Sequence, residues 1–191
     1  MVEIMSRGGG VGINLSTLRP RYAYVTGVNG KSSGSVSWGN LYSNATGLIE
    51  QGGSRRGALM LMLCDWHPDV EEFVASKHKI GFLDNANISV LISNEFMAAI
   101  KADADWDLEF PDIEDKESKA LYNAEWDGDL FKWKKLGRRT HVYKTVKARD
   151  LWQKLIGSAW KSAEPGIVFI GRYNDMSNSN YYNPHDEKPI S

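Results

Sequence analysis

Thiols are almost absent from this chain of 191 residues, in which Cys64 is the single cysteine. One cysteine excludes an internal disulfide, a cysteine-based zinc cluster and a dithiol redox pair within these residues. Long apolar runs are also lacking, since no segment approaches the ~20 apolar residues of a membrane-spanning helix, and the first residues lack the apolar centre of a signal peptide. We therefore expect a cytoplasmic protein with no membrane partner.

The chain also lacks an excess of positive charge. Its formal net charge is -1, whereas domains that coat nucleic acid are usually basic. We therefore expect any phosphate recognition to be local and expect no nucleic-acid partner. A hydrophobic fraction of 42% with 25% charged residues is typical of a globular protein, and the length fits a single domain over residues 1–191.

Strand-like and helix-like segments alternate along the chain. The predicted strands are 11–15, 58–64, 87–93 and 166–171, and the predicted longer helices are 36–51, 94–102 and 145–163. Because residues 58–64 are apolar throughout, we expect that strand to be buried on both faces. The alternation predicts a parallel α/β sheet or barrel.

Local signals predict the faces and ends of several helices. The first long helix places four apolar residues on one face, which we expect to be the buried face: Leu41, Ala45, Leu48 and Ile49. Asn94 is the predicted cap of the second. Pro68 fits the first turn of a short helix that begins after the strand 58–64.

Residues 103–144 interrupt the alternation with an acidic block, 103–117, and a basic block, 132–144. The two blocks predict a charged insertion whose charges face water or each other. A competing hypothesis is that Trp133 and Tyr143, which interleave with the cations, bind single-stranded nucleic acid. The preceding acidic block and the net charge argue against that hypothesis.

The most informative segment is 50–58, where glycines and two arginines lie between a predicted helix and a predicted strand. Glycine lets the backbone approach an anion, and a guanidinium binds phosphate oxygens in a bidentate way. Two adjacent arginines are equally typical of an ordinary surface pair. Two further Gly/Ser-rich segments, 6–12 and 27–34, favour a composite phosphate and sugar site built from three loops at one end of a sheet.

Two other motifs give weaker evidence about function. Gly30, Lys31 and Ser32 match the last three residues of the P-loop motif, but position 25 is valine where that motif needs glycine. His67 has no second histidine at helical spacing and no cysteine pair nearby, so a hydrogen-bonded structural histidine is favoured over a metal ligand. We expect no metal site.

Six stretches together resemble one family, the catalytic subunit of ribonucleotide reductases, and most of all its adenosylcobalamin-dependent class. They are RGGGVGINLSTLRP at 7–20, SSGSVSW at 32–38, QGGSRRGA at 51–58, WHPD at 66–69, NANISV at 85–90 and GRYNDMSN at 171–178. The family fold is a ten-stranded α/β barrel, and this chain resembles its middle part. The resemblance therefore implies an incomplete α/β barrel.

The resemblance also implies site residues and ligands. Substrate-binding positions are Gly10, Arg55 and Ala58, and effector-binding positions are Arg19, Lys31, Gln51, Gly52 and Gly53. Residues 22–32 match the first effector loop, and residues 50–58 match the second, which links the effector base to the substrate base. The implied ligands are a ribonucleotide substrate and a deoxynucleoside triphosphate effector. The implied cofactor is adenosylcobalamin, and the implied partners are the remaining barrel segments or a homodimer partner.

Departures from the family concern loop shape and chemistry. The family usually has glycine where this chain has Tyr22 and proline where it has Ser35. Its reaction uses three thiols, and Cys64 lies where the family keeps no catalytic cysteine.

The family's radical motif, Asn-Pro-Cys-Gly-Glu-Gln-Pro-Leu, has one faint counterpart at residues 183–190. If these residues are a degenerate copy, Asn183 and Glu187 survive and His185 stands in the place of the radical cysteine; otherwise the match is a chance echo. We therefore expect no intact catalytic residue. The chain is then a fragment, split-gene product or decayed copy of a reductase, and the alternative is a non-catalytic nucleotide-binding regulatory module.

Overall fold

The structure, a computed structural model, describes residues 1–25, 27, 29–51, 55–114 and 116–178, with only the backbone of residues 50, 51, 55 and 56. Its strands are β1 (Gly10–Asn14), β2 (Tyr24–Val25), β3 (Gly30–Lys31), β4 (Glu50–Gln51), β5 (Arg55–Arg56), β6 (Ala58–Cys64), β7 (Asn87–Ile92), β8 (Asp105–Pro111), β9 (Thr140–Lys147) and β10 (Gly166–Phe169). Its α-helices are α1 (Val2–Ser6), α2 (Ser35–Gly47), α3 (Val70–Ala75), α4 (Asn94–Ala102), α5 (Lys116–Glu125), α6 (Leu130–Lys135), α7 (Ala148–Ser162) and α8 (Ile170–Met176). A 3-10 turn covers Ser76–His78.

Four strands form a parallel sheet in the order β1-β6-β7-β10. Gly10 to Asn14 pair with Ala58 to Met62, and β7 pairs with β6 on one side and β10 on the other. Helices connect successive strands, which is what a parallel sheet requires. The parallel α/β sheet predicted from the alternating pattern is confirmed.

Side chains of β6 alternate between a packed face and an open face. Leu59, Leu61 and Leu63 are buried in a core with residues of α2, α3, α4 and α7. On the other face Met60 is 39% exposed. The prediction that this strand is buried on both faces is therefore wrong, because in the described chain the helices that share its core cover only one face.

Helix α2 packs on the sheet through small residues. Val36, Gly39, Ser43 and Thr46 are buried, whereas Leu41 is 53% exposed and Leu48 is 85% exposed. A Cβ on Gly39 would lie 3.2 Å from methyl carbons of Leu15 and Leu61, so the helix approaches closely where glycine leaves room. The predicted buried face is therefore wrong for Leu41 and Leu48, whereas Ile49, which lies just after the helix, is partly buried against the core.

Several predicted ends also differ from the structure. Ser93, not Asn94, caps α4, because its hydroxyl accepts the backbone N–H of Phe96 at 3.0 Å. Pro68 precedes α3, which begins at Val70 after Asp69. The first long helix ends at Gly47, because the chain then turns into the strand Glu50–Gln51.

The last two predicted elements change at their ends for similar reasons. Residues 145–147 continue β9 by pairing with β8, so α7 begins at Ala148. Strand β10 ends at Phe169, because the next residues form the helix Ile170–Met176.

The charged segment 103–144 contains most of an antiparallel pair, β8 and β9, with α5 and α6 between the strands. Its acidic and basic blocks form ion pairs with each other, including Lys134 with Glu109 at 2.5 Å and Arg139 with Asp112 at 3.3 Å. These pairs agree with the expectation that the two blocks face water or each other. Within the part of the chain that the structure describes, no helix is long and apolar enough to cross a membrane.

Candidate functional site

A cleft of about 580 Å³ lies at the amino ends of the sheet strands. Gly10 and Ala58 line it as paired neighbours on β1 and β6. A Cβ on Gly10 would lie 3.7 Å from the Cβ of Ala58, an ordinary contact, so packing within this chain does not demand glycine there. Glycine instead leaves the backbone of β1 open to the cleft. The structure thus brings two of the three predicted substrate positions together.

Strands β4 and β5 pair in antiparallel fashion at the same end of the sheet. Their backbones pair Glu50 with Arg56 and Gln51 with Arg55. Gly57 extends this pairing by donating its N–H to Ile49 O at 3.0 Å, and a Cβ there would lie 3.0 Å from Thr46 Cγ2. The predicted residues Gly52 and Gly53 lie outside the described residues, as do the side chains of Gln51 and Arg55. Their nucleotide contacts stay predictions.

A second cavity, of about 390 Å³, lies beside the loop that follows the carboxyl end of β1. Arg19 lines it, and the other lining residues are Thr17, Leu18, Val25, Ser32, Ser33, Trp38 and Tyr122. Lys31, which was also predicted to bind the effector, is not among the lining residues. It is exposed on β3, with its ammonium 5.9 Å from the centre of the Tyr22 ring.

A buried polar network anchors the hairpin formed by β2 and β3. The Asp69 carboxylate accepts the backbone N–H groups of Arg21 at 2.9 Å and Ser35 at 2.8 Å. His67 Nδ1 accepts the N–H of Asp69 at 3.1 Å, so Nε2 carries the proton and donates to Leu18 O at 3.0 Å. Burial lowers the pKa of His67, which keeps the ring neutral. The hypothesis of a structural histidine is confirmed.

The two cavities lie at opposite ends of one crossover. The loop after β1 and the loop before β6 are separated by α2, whose 13 residues span about 20 Å. The described residues of segments 6–12 and 50–58 therefore lie at the amino ends of the strands, while those of segment 27–34 lie beyond the carboxyl end of β1. The prediction of three loops at one end of the sheet is wrong, because a parallel connection returns the chain to the starting end only after its helix.

Cys64 stands at the carboxyl end of β6, far from the cleft. It lies six positions after Ala58, which corresponds to about 20 Å along a strand. Burial raises the pKa of its thiol to about 12, so the thiol stays protonated and is a poor nucleophile. The neighbouring Asp65 is also buried, which raises its pKa to about 7 although Ser93 donates both its N–H and its hydroxyl to the carboxylate.

Only some of the remaining positions predicted from the sequence belong to the described residues. Asn183, His185 and Glu187 lie outside the described residues, so their part in a radical motif stays a prediction. Across the described ranges no group of His, Cys, Asp and Glu could hold a metal ion. Trp133 is 3% exposed and donates its Nε1–H to Arg139 O at 3.0 Å. That ring cannot stack on a base, so the single-stranded nucleic acid hypothesis loses one of its two aromatic residues.

Sequence reasoning missed the two aromatic residues that flank Arg19. Trp38 lies on the exposed face of α2, where it lines the cavity. Because that face was expected to be buried, the sequence offered no reason to place Trp38 in a ligand site. Tyr122 lies in the charged segment, more than a hundred residues after Arg19, and no local pattern connects the two.

Comparison with known proteins gives a consistent result. The family model for "Ribonucleotide reductase, barrel domain" matches residues 1–186. A vitamin B12-dependent ribonucleoside-diphosphate reductase of Thermoplasma acidophilum is 32% identical over 98% of this chain and 22% of its own length. Ribonucleoside-diphosphate reductase large subunits of Variola virus and Caenorhabditis elegans are 31% and 30% identical, each over 92% of this chain.

The chain spans 22–23% of the length of these relatives. The four-stranded parallel sheet, which does not close on itself within the described residues, agrees with an incomplete α/β barrel. The sheet, the order of its connections and a family model that covers almost all of the sequence lead to the same assignment: this chain belongs to the ribonucleotide reductase barrel-domain family.

Proposed function

We propose that this chain, as one partial barrel domain, recognises the two nucleotides of a ribonucleotide reductase. A deoxynucleoside triphosphate effector binds in the cavity at Arg19, and a ribonucleotide substrate binds in the cleft at Gly10 and Ala58. The observation that carries the proposal is the setting of Arg19: it lines a cavity beside two serines and two aromatic rings, and the structure gives it no carboxylate partner among the described residues. A guanidinium so placed keeps its charge and its donors for phosphate oxygens.

The experiment is a titration of the chain with deoxynucleoside triphosphates, followed by calorimetry and by the thermal unfolding midpoint. We expect Arg19→Ala to weaken binding about tenfold to a hundredfold, because a hydrogen bond to a charged group contributes roughly 1.5–3 kcal/mol. The matched control is Arg7→Ala, which removes an exposed arginine paired only with Glu3 on α1. Equal binding by wild type and Arg19→Ala would remove the effector assignment.

The reduction itself depends on groups outside the described residues. The reductase chemistry implied for the family uses three thiols, and Cys64 is half-buried, has a thiol whose pKa is raised to about 12, and lies about 20 Å along β6 from Ala58. The Thermoplasma relative is a vitamin B12-dependent reductase, and in a complete enzyme of this kind cobalamin would supply the radical. The described residues do not fit that group: the cleft is lined mainly by backbone and short side chains, and its neighbourhood offers no thiol to receive a radical.

A non-catalytic nucleotide-binding module remains the second candidate, and the position of Cys64 favours it. The two candidates differ in one result. Turnover of ribonucleotides on addition of the remaining barrel segments, adenosylcobalamin and a dithiol supports the reductase. Unchanged effector binding without any turnover supports the module.

We also infer a homodimer. Trp38, Leu41 and Leu48, with Ala45 between them, form an exposed apolar stripe along α2, and its first member lines the Arg19 cavity. A two-fold axis through this stripe sets two α2 helices side by side in opposite directions. The β2–β3 hairpin of one copy then lies near the β4–β5 strand pair of the other. Such a pair brings effector and substrate loops together, although α2 keeps them apart within one chain.

A further inference from the structure

Arg19 is held against an aromatic ring that comes from the charged segment. Its guanidinium carbon lies 5.5 Å from the centre of the Tyr122 ring, within the range of a cation–π interaction. Tyr122 belongs to α5, and both residues line the cavity of about 390 Å³. The contact therefore joins a loop of the sheet to an element inserted between β8 and β9.

Tyr122 is itself fixed in place. Its hydroxyl donates to Thr17 O at 3.2 Å, and Trp126 Nε1–H donates to the same carbonyl at 3.3 Å. The rings of Tyr122 and Trp126 are stacked at 6.2 Å, and Phe110 lies 5.9 Å from Tyr122 on another side. The ring thus reaches Arg19 from a packed aromatic cluster, while its hydrogen bond ties it to the loop that carries Arg19.

An aromatic partner and a carboxylate differ in how much of the arginine's charge and how many of its N–H donors remain available to a ligand. A carboxylate would neutralise the guanidinium and compete with phosphate for its N–H groups. A ring face attracts the cation through its quadrupole, and the Tyr122 hydroxyl, which also interacts with the guanidinium, carries no charge that would neutralise it. The Arg19 side chain can therefore be ordered before the ligand arrives and still present its charge.

We propose that Tyr122 is the positioning residue for the arginine of the effector site, so that α5 forms one wall of a nucleoside triphosphate site. The charged segment 103–144 is then part of effector recognition rather than a passive insertion. The inference rests on the proposed function, because it assigns a role within the same Arg19 cavity.

The test compares dissociation constants for deoxynucleoside triphosphates in the full chain. We expect Tyr122→Leu to weaken binding about fivefold to tenfold, the range that a partly desolvated cation–π contact supports. Tyr122→Phe should bind more tightly than Tyr122→Leu but less tightly than wild type, because it keeps the ring and the Trp126 hydrogen bond to Thr17 O but removes the hydroxyl that interacts with Arg19. Tyr173→Leu, which removes an exposed ring of α8 outside this cavity, is the control and should leave binding unchanged.

A double-mutant cycle separates positioning from a general structural effect. If Tyr122 acts through Arg19, Tyr122→Leu causes no further loss of affinity once Arg19 is alanine. If Tyr122→Leu weakens binding equally in both backgrounds, the ring only supports the fold and the inference is overturned.

Failure of the inference is distinguishable from failure of the proposed function. Wild type that binds no deoxynucleoside triphosphate contradicts the proposed function. Wild type that binds, loses binding with Arg19→Ala and keeps it with Tyr122→Leu contradicts only the inference. Should Tyr122→Leu not fold, the NMR signal of the Arg19 Nε–H in wild type decides: a ring-current shift to high field supports the contact, and an unshifted signal overturns it.

Discussion

Gly34 shows at the scale of one residue how the hairpin formed by β2 and β3 is held in place. It precedes α2 with φ at +88°, in the left-handed region, and is buried. A Cβ there would lie 2.8 Å from both Arg21 Cβ and Asp69 Oδ2. Glycine is therefore needed for two independent reasons, the backbone angle and the space.

We predict that Gly34→Ala lowers the free energy of unfolding by about 3 kcal/mol, the sum of left-handed strain and overpacking. The control is Gly137→Ala, where φ is +70° but no atom lies within 4 Å of the added Cβ. That variant should lose only about 1 kcal/mol. Urea denaturation measures both, and equal losses would show that the space around Gly34 has no effect.

Two departures from the family sequence have a physical explanation at the same scale. Tyr22 stands where the family keeps glycine, and its φ of +69° lies in the region that glycine favours. Ser35 stands where the family keeps proline, and its N–H donates to Asp69, which a proline could not do. The sequence comparison indicated an altered loop, but only the backbone angle and the hydrogen bond give the physical reason.

At the scale of elements, the sequence could predict which strands and helices form but not which face of a helix is buried. The sheet strands were recognised because apolar runs bounded by turn residues are a local signal. The face of α2 was not, since its buried side consists of Val36 and small residues while its leucines are exposed. Hydrophobic periodicity identifies an apolar stripe but cannot say which partner covers it.

The charged segment is stabilised by a buried carboxylate rather than by surface pairs alone. Glu109 is buried on β8 and accepts from Lys134 Nζ at 2.5 Å and Thr140 Oγ1 at 2.7 Å. Removing one partner leaves a buried charge less well compensated.

Lys134→Met should therefore lower the free energy of unfolding by about 1–3 kcal/mol at neutral pH. Lys132→Met is the matched control, because its ion pair with Asp127 is exposed and should contribute less than about 0.5 kcal/mol. Chemical denaturation of both variants provides the measurement. Similar losses would mean that the Glu109 pair is no stronger than a surface pair.

For the whole molecule, the sequence could predict the family and the parallel sheet but not the distance between the two proposed nucleotide sites. The glycines and arginines of segment 50–58 predicted a phosphate site, and the effector roles of residues 22–32 and 50–58 were implied by the family resemblance. Their separation by the length of α2 depends on topology, and the contact of Arg19 with Tyr122 depends on packing between remote segments. Neither leaves a local pattern, so neither could be predicted from one sequence.

The separation of the sites makes the homodimer a testable requirement of the proposed function. If two copies pair through α2, Leu41→Glu and Leu48→Glu place charges in the apolar interface and should convert the dimer to a monomer. Ile156→Glu, at an exposed position of α7 outside the stripe, should leave the dimer intact. Sedimentation velocity with and without a deoxynucleoside triphosphate measures the mass. A wild type that stays monomeric under both conditions, or leucine variants that stay dimeric, would show that α2 does not join two copies and that communication between the sites uses another route.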